Sequence, residues 1–141
     1  MIRLARQLEE EIRSAGTDAY PNECCGIMFG HEEGDIHVVK ALRPIENARE
    51  SGEQYHRFLI TAEDMMQAEL EARRLGLEII GFYHSHPDHP SKPSDYDREH
   101  ALPFYSYIIH RVAEGRPELM TSWRLRPSRE AFDSEPIEIE P

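Results

Sequence analysis

The sequence predicts a mixed α/β domain: a sheet with both strand directions and helices packed on it. Three observations lead there. Two long stretches, residues 2–19 and 62–75, carry apolar residues at spacings of three and four, the mark of amphipathic helices. Six short apolar runs rich in isoleucine, valine and aromatics separate and follow them, as strands do. The 141 residues suffice for one domain with a real core, without internal repeats or low-complexity segments.

In order, Ile2, Leu4, Ala5, Leu8, Ile12 and Ala15 give the first helix its stripe. Gly16 weakens or ends it, and Pro21 closes the connection. Residues 24–29 and 36–42 read as strands around a polar turn at 30–35, so a hairpin is expected; Pro44 then breaks it, and 45–52 read as loop. Residues 53–60 read as a third strand. Thr61-x-x-Asp64 has the form of a capping box and opens the second helix, which ends at Gly76. Residues 77–83, with two adjacent isoleucines, read as the central buried strand. Residues 94–101 form a short helix ended by Pro103, and 104–112 and 119–125 are further strands. Beyond Pro127 the chain is polar and acidic. Ile137 and Ile139 leave it open between an edge strand and a loose tail.

A formal net charge of −11 argues against a nucleic-acid binder, which would present a basic face. No apolar run approaches the length of a membrane span, and the charged start is unlike a secretion signal. The only cysteines, Cys24 and Cys25, are adjacent. One peptide unit cannot easily bridge them, so free thiols and a reducing, cytoplasmic location are expected.

Candidate chemistry concentrates after the central strand. His84 and His86 alternate onto one face at its end, where both imidazoles can reach one ion at about 2.0–2.1 Å. Pro87, Pro90 and Pro93 force an extended loop. Asp97 then falls in the first turn of a helix, eleven residues after His86. Two histidines and a carboxylate with a fourth position open are the donor set of a catalytic zinc. Ser94-x-x-Asp97 is also a capping box, so helix initiation alone would account for both residues. Asp95 competes for the third position; His89 and His100 are spare imidazoles, read as surface or supporting groups.

His84-Ser85-His86-Pro87, then Pro93-Ser94-x-x-Asp97, with Pro21-Asn22-Glu23-Cys24-Cys25-Gly26 about sixty residues upstream, resembles the JAMM metalloproteases, the zinc-binding MPN-domain family. The resemblance covers residues 1–126 and leaves 127–141 as an acidic C-terminal tail. It implies a curved mixed sheet flanked by helices, of the cytidine-deaminase-like type. It implies one Zn2+ per chain on His84, His86 and Asp97, Glu23 as general base and acid, and Ser94 as donor to the developing oxyanion. With no room for large insertions, the chain is most similar to the short prokaryotic members. For these the resemblance implies hydrolysis of an amide or isopeptide bond at the C-terminal Gly-Gly of a ubiquitin-like sulfur-carrier protein, releasing cysteine or another amino acid. Two alternatives remain: a non-catalytic MPN scaffold, whose members usually lack some ligands, and a zinc hydrolase of another small amide. Deaminase chemistry is disfavoured, because the Pro-Cys-x-x-Cys ligands are absent.

Overall fold

The structure, a computed structural model, describes residues 1–48 and 59–141. Among these, eight strands form one sheet: β1 Ile2–Ala5, β2 Cys25–Glu33, β3 Ile36–Ile45, β4 Glu78–Pro87, β5 Ser106–Ala113, β6 Arg116–Leu125, β7 Phe132–Glu135 and β8 Ile137–Glu140. Three helices accompany them: α1 Arg6–Ala19, α2 Ala62–Leu75 and α3 Asp95–His100. The order across the sheet is β7-β6-β5-β4-β2-β3-β1-β8. Three neighbours run parallel, β1 with β3, β1 with β8 and β4 with β5. The expected mixed α/β class therefore stands. The two outermost strands, β7 and β8, are separated in sequence by Pro136 alone. The sheet must therefore curl until its edges nearly meet.

Each face carries a helix. Ile12 of α1 covers Ile2, Leu4, Met28, Val39, Ile80, Tyr83 and Ile108; Ala68 and Ala72 of α2 cover Ile27, Phe29 and Phe82 on the other face. Alternation along β4 thus sends Phe82, His84 and His86 to the α2 side and Tyr83 and Ser85 to the α1 side. The parity is set by a bulge opposite Met28/Phe29.

Several expectations change. Residues 2–5 are strand, not the start of a helix. Ile2 and Leu4, spaced by two and both fully buried, obey the strand period, and pairing with β3 and β8 satisfies the backbone. Gly16 does not end α1. It lies inside the helix where β5 presses close: a Cβ there would sit 2.7 Å from His110 Nδ1. Strand β3 runs through Pro44, where among the described residues only β2 flanks it, a position that tolerates a missing N–H. The strand expected over 53–60 lies outside the described residues, except Leu59 and Ile60, which join no element. Strand β4 extends past Tyr83 to Pro87, held by parallel pairing with β5 up to Val112. The stretch after Pro127 supplies β7 and β8. No described helix is long and apolar enough to cross a membrane.

Candidate metal centre

His84 and His86, each 1% exposed, leave β4 on the same face with their Nε2 atoms 3.1 Å apart. His86 Nδ1 donates to the Pro90 carbonyl at 2.7 Å. That bond fixes the tautomer and turns the Nε2 lone pair inward. The proline loop is pinned where it begins and midway. Asp88 N–H donates to Val112 O at 2.7 Å, and its carboxylate accepts from Tyr20 O–H at 2.5 Å and Glu114 N–H at 2.7 Å. Thr121 O–H donates to Ser91 O at 2.6 Å.

The loop delivers α3. Ser94 Oγ accepts from Asp97 N–H at 3.0 Å, and Asp97 Oδ2 accepts from Ser94 N–H at 2.9 Å. The capping box is therefore real. The same carboxylate also reaches the histidines: Oδ1 is 3.3 Å from His84 Nε2 and Oδ2 is 3.2 Å from His86 Nε2. Capping and convergence are one arrangement, because the box fixes the rotamer that aims Asp97. Burial alone would raise the Asp97 carboxyl; the two imidazoles beside it outweigh burial and hold it well below the usual carboxylate range.

Glu23, 3% exposed, reaches the cluster from just before β2. Its carboxylate and the His84 and His86 nitrogens lie within 4.8 Å of one another, enough for one water between groups. Burial pushes the Glu23 carboxyl up to about 8; His86 opposes the shift and Asp97 adds to it. Its backbone is tied by Asn47 Nδ2, which donates to Glu23 O at 3.2 Å. Next to it, Cys24 N–H donates to Ser85 Oγ and Ser85 N–H to Cys24 O, at 2.8 and 3.2 Å. Ser85 thus clamps the Glu23 segment to the strand that carries both histidines.

Donors about 2.0–2.1 Å from a tetrahedral ion stand about 3.3–3.4 Å from one another. The two Nε2 atoms stand 3.1 Å apart and each has an Asp97 oxygen nearby, Oδ1 at 3.3 Å from His84 and Oδ2 at 3.2 Å from His86, close to that spacing. Asp95, 94% exposed, points to Arg98 and not to the cluster.

A family model described as prokaryotic homologs of the JAB domain matches residues 5–126. The chain belongs to this family. A solved protein from Salinibacter ruber, 38% identical, superposes with a TM-score of 0.76 over 98% of this chain and 91% of its own. A structure described as a JAMM metalloprotease-like zinc site in the proteasome and signalosome superposes with a TM-score of 0.59 over 100% of this chain and 99% of its own. At 16% identity that likeness is one of fold. The Haloferax volcanii desampylase is 33% identical over 90 residues, 63% of this chain. The JAB-domain chain spans 62% of that relative's length.

Two residues, Ser85, which motif reading passed over, and His89, read as a surface or supporting group, belong to the centre of this JAB domain. Ser85 filled a variable position between the histidines; only strand alternation, which turns it away from them, hinted at a different job. His89 stacks on His86, ring centres 4.2 Å apart, with Nε2 3.9 Å from Glu23 Oε2. His100 stays outside the cluster, stacked on Tyr96 at 4.1 Å. Both thiols are free, and burial raises both, Cys24 to about 11; Cys25 S–H donates to Ile45 O at 3.6 Å. Ser94, exposed, keeps its hydroxyl proton uncommitted by the cap.

Proposed function

We propose that this JAB-domain protein is a zinc-dependent hydrolase of amide or isopeptide bonds at the C-terminal Gly-Gly of a ubiquitin-like or sulfur-carrier protein. The observation that carries the reading is the convergence of two buried imidazoles and a capped carboxylate, with a second buried carboxylate one water away. His84, His86 and Asp97 would hold one zinc ion, and an inward Nε2 lone pair on His86 suits that role. When bound, zinc lowers the pKa of water and polarises a carbonyl.

The chain's own groups supply the rest. Glu23 takes a proton from the attacking water and returns it to the leaving nitrogen, one carboxylate serving as base and then acid. The Ser94 O–H donates to the carbonyl oxygen as negative charge grows there. Kinship with a desampylase supports a conjugate of the ubiquitin-like class as substrate. A slim Gly-Gly end suits close approach of backbone to the centre.

The test is cleavage of a Gly-Gly-linked carrier conjugate, followed by mass, with and without chelator. Glu23→Gln should keep one zinc per chain and lose turnover. Normal turnover by Glu23→Gln would remove the assigned base, and a chain that cuts equally well with chelator present would remove the metal.

A further inference from the structure

Beside the metal centre, among the described residues, lies a cavity of about 230 Å3. His84 and Asp97 line it together with Met65, Phe82, Tyr107 and Ile109. Leu102, 53% exposed, borders it. Among the described residues that line it there is no lysine or arginine, and Asp97 is the one carboxylate. Cavities of about 150 Å3 with such walls hold benzene. This one has room for a leucine, methionine or phenylalanine side chain.

Which part of a substrate would enter follows from its position. A Gly-Gly end carries no side chain over its last two residues, about 7 Å of extended chain. An apolar cavity lined by His84 and Asp97 themselves therefore meets no side chain from the Gly-Gly pair on the carrier side of the scissile bond. On the other side, the first residue brings a side chain within reach of the same ligands. We propose that the cavity receives the side chain of the released residue, and that this residue is an apolar amino acid joined through its α-amine. The inference rests on the Gly-Gly reading above and adds the leaving group. A lysine joined through its ε-amine is disfavoured, because its α-amino and carboxyl groups would face apolar walls. The reaction is hydrolysis. The amide C–N bond breaks, water gives oxygen to the carbonyl carbon and a proton to the nitrogen, and a carrier carboxylate and a free amino acid result.

The experiment compares kcat/KM for a Gly-Gly carrier joined through α-amides to leucine, phenylalanine, glycine or aspartate. A second series keeps glycine as leaving residue and varies the residue before Gly-Gly. Leucine and phenylalanine adducts should be cut about 10–100-fold better than glycine or aspartate adducts. Leu102→Glu, at an exposed position, should collapse the leucine-to-glycine ratio towards one. Rates within twofold for all adducts, or an apolar preference that follows the upstream residue instead, overturn the inference while the hydrolase reading stands. If no adduct is cut, methyl NMR of the chelator-treated chain decides. Shifts at the Met65 and Ile109 methyls with a Gly-Gly-Leu peptide but not with Gly-Gly-Gly support the cavity's role. Equal or absent shifts overturn it.

Discussion

Ser94 caps α3 and is proposed to serve the oxyanion, two roles that one substitution would confuse. Its hydroxyl oxygen caps α3, and its hydroxyl proton is assigned to the oxyanion. Ser94→Ala removes both. Losing an N-cap to alanine costs about 1 kcal/mol, a fall in Tm of about 3–4 °C for a domain of this size. Losing an oxyanion donor costs about 10²–10³ in kcat. Ser94→Gly separates the two, because glycine at this position costs only a few tenths of a kcal/mol and leaves the Ser94 N–H bond to Asp97 in place. Ser94→Thr keeps both groups. The assay is single-turnover cleavage of a Gly-Gly conjugate alongside zinc stoichiometry and thermal unfolding. The expected pattern is a large loss of rate in Ala and Gly alike, a stability loss in Ala only, full zinc in all, and near-parent behaviour in Thr. A Ser94→Gly protein whose rate stays within threefold of the parent would make Ser94 a cap and nothing more.

Two further outcomes follow from the α1–β5 contact. Gly16→Ala should destabilise by about 1–3 kcal/mol in chemical unfolding, despite alanine's better helix propensity, because its Cβ meets His110 at 2.7 Å and β5 backs that ring. Burial lowers His110 from 6.5 to about 4, with Arg13 adding to the shift, and neither ring nitrogen has a hydrogen-bond partner among the described residues. The folded chain then binds fewer protons than the unfolded one below the unfolded pKa. Stability should therefore fall as pH drops from 6.5 towards 4, by about 2 kcal/mol from this residue once solvent screening is allowed for. His110→Leu should flatten that limb; a limb of unchanged slope would assign the acid sensitivity elsewhere, such as His37, which burial also lowers to about 4.

The parts of this molecule legible in the sequence are those governed by local rules. The two capping boxes, the helical stripe of α2 and the alternation that pairs His84 with His86 each need only a few neighbouring residues, and each is present. Asp97 reads as either cap or ligand because its capping carboxylate also lies beside both imidazoles. What stayed hidden depends on distant partners. Residues 2–5 fit a helical stripe until β3 and β8 supply their strand pairing. Gly16 looks like a stop signal until β5 explains the missing side chain. The acidic last stretch has little apolar content of its own. It becomes two strands because β6 and β1 wait on either side of Pro136. Ser85 carries no motif, and its clamp on Cys24 exists only once β2 lies beside β4.

The measurement closest to the central claim is anomalous diffraction at the zinc edge from crystals grown with the metal. One peak is predicted per chain, in contact with His84, His86 and Asp97, with the Glu23 carboxylate set back from it. A peak bound by Glu23 in place of Asp97, or no peak beside the two imidazoles, would contradict the account.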